Sequence, residues 1–170
     1  MNEIKILDYL PSHQPYFEKF NRQWIEEFFE IEPLDEWVLT NPGKAILEPG
    51  GAILMAEYNG KIAGTVGLRK LDEEVYEFTK MAVDPEFRRK GIAEAISYAS
   101  FRKANELGAV KVVLYSNTRN VGAISLYEKI GFVHLPVENN VYKRANVKME
   151  ISIEQAMHSL KKYESKKELV

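Results

Sequence analysis

The stretch that most constrains this chain is Met81-Ala-Val-Asp-Pro-Glu-Phe-Arg-Arg-Lys-Gly-Ile-Ala93, because it stops a strand and starts a helix within one short turn. The apolar run Val75 to Val83 reads as a buried strand, and Asp84-Pro85 ends it. Gly91 then opens a helix whose interior is Ile92, Ile96, Ala99, Lys103 and Leu107. The first-turn N–H groups of such a helix have no partner within it, and glycine lets a ligand approach the backbone closely. Arg88, Arg89 and Lys90 gather positive charge at the same point, which makes the turn a cradle for a phosphate or pyrophosphate.

The flanking chain supplies elements of both kinds. Ile4 to Leu7 reads as a first strand, and Ser12 is placed to cap a helix over Pro15 to Phe29 with Phe17, Phe20, Trp24, Ile25 and Phe28 at near-helical spacing. A second short helix is expected over Leu34 to Leu39, then a turn at Asn41-Pro-Gly43 and a loop at Pro49-Gly-Gly51. Asn59-Gly60 between Ala52–Tyr58 and Lys61–Leu68 signals a hairpin with a two-residue primed turn. After the helix Gly91 to Leu107 come a strand over Val110 to Tyr115, a helix over Val121 to Ile130, and two strands over Phe132 to Leu135 and Val147 to Ile151. This order implies a mixed α/β fold with helices on both faces of the sheet. Ser152 to Val170, rich in Lys and Glu, reads as a frayed helix or disordered tail beyond a domain spanning residues 1–151.

Length and composition set the outer bounds. A chain of 170 residues fits one domain that buries roughly two thirds of its unfolded surface without disulfides or metals. There is no cysteine, so disulfides, thiolate metal sites and cysteine nucleophiles are all excluded. His13, His134 and His158 lack metal-ligand spacing, and no metal is expected. A net charge of −2 recruits neither nucleic acid nor a membrane surface, and no apolar run reaches the ~20 residues of a membrane span. A cytoplasmic location is the expectation.

A second block, Asn120-x-x-Ala123-x-x-Leu126-Tyr127-Glu-Lys129-x-Gly131-Phe132, follows the first. Together with Arg88-x-x-Gly91-x-Ala93, it resembles the two cofactor motifs of the GNAT superfamily of N-acyltransferases. The resemblance covers about residues 4 to 151. It implies a mostly antiparallel mixed sheet whose two central parallel strands splay apart to admit the pantetheine arm of acetyl-CoA. It assigns the backbone N–H groups of Arg89, Lys90, Gly91, Ile92 and Ala93 to the pyrophosphate, with Arg88 and Arg89 adding charge. Met81, Ala82 and Val83 are expected to bulge, with the Met81 amide polarising the thioester carbonyl and the others bonding the pantetheine. Asn120 is expected as a plain N-cap of the second helix or, as the resemblance implies, as a cap that also contacts the cofactor.

Two side chains carry the implied chemistry. An alkylamine with a pKa near 10.4 lies about 3.4 units above neutral pH, so freeing its lone pair costs roughly 4.6 kcal/mol. Glu77, six residues before Val83, stands where some members of the family place a general base; a salt bridge is the alternative role. Tyr127 stands where the family's tyrosine assists the leaving thiolate, either by protonation or by hydrogen-bond donation.

The expected function is acetyl transfer from acetyl-CoA to a primary amine by direct attack in a ternary complex. A catalytically weak acyl-CoA-binding or sensing module is the alternative, distinguished by whether an acceptor cleft opens beside Met81. The acceptor, a small molecule or peptide, is not specified by the sequence, and a homodimer is left open. The six carboxylates between Glu26 and Glu36 border the acceptor site in relatives. They suggest either a cationic amine drawn in by their field or a solvated helix end.

Overall fold

The computed structural model describes residues 3–138 and 142–168. Seven strands form one sheet in the order β1-β2-β3-β4-β5-β7-β6: β1 (Ile4–Asp8), β2 (Ala52–Tyr58), β3 (Lys61–Lys70), β4 (Val75–Val83), β5 (Lys111–Ser116), β6 (Val133–Leu135) and β7 (Val147–Ser152). Among the described residues, only β4 and β5 pair in parallel. Five α-helices accompany them: α1 (Gln14–Phe28), α2 (Pro33–Thr40), α3 (Ile92–Glu106), α4 (Val121–Ile130) and α5 (Ile153–Glu168).

Strand alternation divides the core into two layers. From β2, Leu54, Ala56 and Tyr58 join residues of α3, α4 and α5, including Ile96, Phe101, Ile130 and Leu160. Ile53 and Met55 point the other way, onto Phe17 of α1 and Val38 and Leu39 of α2. The hairpin expected at Asn59-Gly60 is present. Both residues have positive φ, +48° and +86°, as a primed turn requires, and Tyr58 pairs with Lys61.

Three local readings change. Ser12 does not cap α1, because Pro11–His13 forms a 3-10 turn that runs straight into it. The exposed amide there is satisfied instead by the His13 ring, whose Nδ1 accepts from Leu10 N–H at 3.0 Å. After Asn41-Pro-Gly43 the chain makes a π-helical turn over Gly43–Leu47, closed by Glu48 N–H donating to the Gly43 carbonyl at 2.8 Å, and this turn buries Ala45 and Ile46. Residues 153–168, read as a frayed or disordered tail, are helix α5. Its Ala156 and Leu160 are buried and its Tyr163 ring stacks on Tyr98 of α3 at 4.1 Å.

The feature that creates a site is a gap in the sheet. The β4–β5 ladder contains three register pairs, Val75 with Lys111, Tyr76 with Val112 and Glu77 with Val113, and then ends. Beyond Glu77, β4 continues along β3 while β5 continues along β7, so the two strands part. The splayed parallel pair is thus present within a mostly antiparallel sheet.

Candidate active site

A cavity of about 540 Å³ occupies the gap. On the α3/α4 side its lining includes Arg88, Ala93, Asn120, Gly122, Leu126 and Tyr127. On the α1/α2 side it includes Trp24, Phe28, Glu77, Lys80, Tyr142 and Arg144, with the backbone run Thr79–Val83 along one wall.

Two helix N-termini bound the first side, and neither has a side-chain cap. Gly91 precedes α3 with φ +83°, and Asn120 precedes α4 without its side chain bonding the first turn. Asn120 therefore departs from the expected capping role, and its side chain stands at the cavity wall. Arg89 also has a left-handed φ of +61°. Left-handed residues in a turn make successive N–H groups converge, the geometry of an anion-binding nest. A Cβ built on Gly91 or Gly122 would meet nothing within 4 Å, so backbone is bare at both helix starts. Those bare, uncapped turns beside the cavity fit a pyrophosphate.

The sequence-predicted basic residues separate in space. Arg88 lines the cavity and lies 3.8 Å from Glu27 of α1. Arg89, Lys90, Gly91 and Ile92 do not line it. Ile92 is buried in the core beneath, and Lys90 Nζ stands 5.9 Å from the centre of the Tyr58 ring. A cation that the sequence reading missed, Arg119, also lines the cavity. Its guanidinium donates to the Phe28 carbonyl at 3.2 Å and lies over the Phe29 ring.

The bulge expected around Met81 sits one residue earlier than foreseen. Thr79 pairs with Gly67 and Ala82 with Thr65, so Lys80 and Met81 together oppose Val66 alone. Lys80 takes the left-handed conformation, φ +55°, rare for a residue with a Cβ. Such a bulge leaves one residue without ladder partners, which frees backbone groups beside Met81.

Tyr127 is nearly buried, edge-on to Phe78 at 5.5 Å and to Phe132 at 5.9 Å, and it lines the cavity. Burial drives its hydroxyl pKa well above the usual phenol range, so it stays protonated across the physiological range. Glu77 is 1% exposed and its Oε1 accepts two bonds from Arg69, from Nε at 3.0 Å and Nη2 at 2.9 Å. Glu77 thus makes the salt bridge expected as its alternative role, and it also lines the cavity.

The acidic stretch is largely answered by cations from elsewhere. Glu27 faces Arg88, Glu32 and Asp35 bind Arg144, Asp35 binds Lys80, and Glu36 binds Arg22. Glu26 and Glu30 remain exposed. Asp35 is fully buried. Burial alone would raise its pKa, but hydrogen bonds and charge from Arg144 and Lys80 outweigh that and lower it to about 2. Burial also pulls Lys80 below the ordinary lysine range, against the opposing charge of Asp35. In the link between β6 and β7, residues 139–141 lie outside those described, while Tyr142 and Arg144 are cavity residues.

Comparison with known proteins agrees with this geometry. The N-acetyltransferase YjgM of Escherichia coli is 32% identical over 91 residues, covering 52% of this chain and 54% of YjgM. The chain therefore matches about half the length of that relative. An acetyltransferase of the GNAT family from Staphylococcus aureus superposes with a TM-score of 0.79 at 23% identity, covering 89% of this chain and 99% of that one. YncA of Salmonella typhimurium, solved with its cofactor acetyl-CoA, superposes with a TM-score of 0.70 at 16% identity over 89% of this chain and 94% of its own. The model of the Acetyltransferase (GNAT) family matches residues 10–132, in keeping with the split sheet and the uncapped helix starts, and the chain belongs to that family.

Proposed function

We propose that this protein moves an acetyl group from acetyl-CoA to a primary amine by direct attack in a ternary complex. The observation that carries the reading is the open cavity in the sheet gap, with two bare helix starts on one side and Glu77, Met81 and Tyr127 in its walls. An acyl-CoA-sensing module needs no second opening. A gap lined from both faces of the sheet supports the enzyme.

In this reading the amide N–H groups before α3, with Arg88 and Arg89, hold the pyrophosphate. Ala82 and Val83 offer strand-like backbone to the pantetheine, with Asn120 at the opposite wall. Acetyl-CoA supplies a thioester carbonyl: the amine nitrogen bonds to its carbon, the carbon–sulfur bond breaks, the sulfur leaves as thiolate, and the proton that nitrogen sheds on becoming an amide reaches that sulfur through water. The Met81 amide donates to the carbonyl oxygen as negative charge develops there. The ammonium form of the amine must first lose a proton. Glu77 Oε1 is occupied by Arg69, so Glu77 accepts through Oε2 a hydrogen bond from a water, and that water relays the proton from the ammonium to bulk solvent. Tyr127, with its pKa raised, stabilises the leaving sulfur by donating a hydrogen bond; complete transfer to a thiolate of pKa near 8.5 would be uphill.

Thiol release measured across a panel of amines tests the proposal. Acetyl-CoA-dependent release with at least one amine is expected, with an acetylated product of matching mass. Tight acetyl-CoA binding without release for any amine would favour the sensing module instead.

A further inference from the structure

Apart from Glu77 and its partner Arg69, the buried charges on the α1/α2 side of the gap have no assigned part in the transfer. We propose that the Lys80–Asp35 pair, closed by Arg144, is a positioning device that holds the β4 bulge, and with it the Met81 amide, in the geometry the transfer requires. The inference rests on the acyl-transfer reading above.

Two costly features coincide at one residue. A left-handed conformation is costly for a residue with a Cβ, and Lys80 adopts it in the middle of a strand. Burying an ion pair is at best near neutral against a well-packed apolar pair, yet the Lys80 and Asp35 side chains are 2% and 0% exposed. A plain strand would meet neither cost. What the two features achieve together is a fixed direction for the chain just before Met81.

The restraint is complete on all sides. Lys80 Nζ donates to Asp35 Oδ1 at 2.7 Å. Asp35 accepts Arg144 Nη2 on Oδ1 at 2.9 Å, and Arg144 Nη1 at 2.6 Å and the Glu32 amide at 2.9 Å on Oδ2. Glu32 in turn accepts Arg144 Nη1 at 3.2 Å and the Lys143 amide at 3.0 Å. The Tyr142 ring lies 4.8 Å from both Lys80 Nζ and the Arg144 guanidinium. Lys80, the residue ahead of Met81, is therefore tied through its side chain to Asp35 of α2 and, through Arg144 and the Tyr142 ring, to the segment before β7. Lys80 acts through the backbone it holds and is a positioning residue.

The test removes both charges at once with Lys80→Met/Asp35→Leu, which leaves no unpaired buried ion. Infrared spectra of bound acetyl-CoA, isotope-labelled at the carbonyl carbon, report the hydrogen bond to that oxygen without needing an acceptor. The wild type should lower the carbonyl frequency relative to water. The double variant should lose that shift and about 30-fold in kcat while its acetyl-CoA affinity stays within about threefold. Lys80→Arg, which keeps the charge, should recover most of the shift. A folded double variant with wild-type frequency and kcat overturns the proposal. Should it not fold, Arg144→Lys keeps the charge but loses the two-pronged grip on Asp35 and should move the frequency part of the way; an unmoved frequency overturns the proposal equally. A wild-type shift with no thiol release from any amine would sink the acyl-transfer reading and leave the positioning device supported.

Discussion

The two sides of the sheet gap solve opposite problems. On the α3/α4 side, charge and backbone are left open: two helices start without side-chain caps, Gly91 is bare, and Arg88 is half exposed. On the α1/α2 side, charge is enclosed and each ion has its counterpart, Lys80 and Arg144 on Asp35, Arg69 on Glu77. Open groups are suited to bind an anion that arrives from solvent. Enclosed groups fix the position of a neighbouring backbone and offer little net field to an incoming molecule. The contrast separates binding from alignment along one cavity.

The largest effect should come from breaking the enclosed side. Asp35→Asn strands a buried ammonium, and urea unfolding should show a loss of about 3–5 kcal/mol. The acid limb sharpens this. Asp35 has its folded pKa lowered to about 2 from 3.8. Its contribution, on the order of 2 kcal/mol, is therefore present above about pH 4 and lost as pH falls through about 2. The variant's stability should be flatter over that window, and an unchanged acid limb would mean that the pair is not what holds this side.

On the open side, Gly91→Val combines a disallowed φ with a side chain in the space left for a ligand. Acetyl-CoA affinity should fall at least tenfold, about 1.4 kcal/mol, by calorimetry. Full affinity would move the anion cradle elsewhere. Between the two sides, Tyr127→Phe should lower kcat about tenfold with KM for acetyl-CoA nearly constant, since the hydroxyl is used as sulfur leaves. Unaltered turnover would reduce Tyr127 to its packing against Phe78 and Phe132.

The smallest effect tests the acidic stretch. The Arg88–Glu27 contact is exposed and long, so Glu27→Gln should change stability by less than about 0.5 kcal/mol. With most of the stretch paired, the triple variant Glu26→Gln, Glu27→Gln and Glu30→Gln should barely alter the dependence of kcat/KM on ionic strength. A clear flattening would restore a cationic acceptor steered by that field.

What the sequence disclosed follows the same division. The open side is built from contiguous residues, Arg88 to Ala93 and Asn120 to Tyr127, so spacing alone located it, as Asn59-Gly60 located the hairpin. The enclosed side joins residues 35, 80 and 144, which are neighbours only after α2, β4 and the segment before β7 have packed together. Lys80 inside an apolar strand run was the one local signal, a charged residue where burial was expected, and it passed as ordinary strand. The acidic stretch misled for the same reason, because its counterions come from distant positions. The π-helical turn at 43–47 escaped the reading because Asn41-Pro-Gly43 and Pro49-Gly-Gly51 signal chain reversals without revealing the helical run between them.

The gap also divides the sheet mechanically. β1 to β4 form one leaf, β5, β7 and β6 another, and three rungs of ladder hinge them. Helix α3 rides on the first leaf, and α5 touches both α3 and β7 of the second. Through Tyr163 on Tyr98, and through Arg102 paired with Glu164, α5 is a cross-brace between the leaves, so the width of the slot is set by a helix at the far end of the chain.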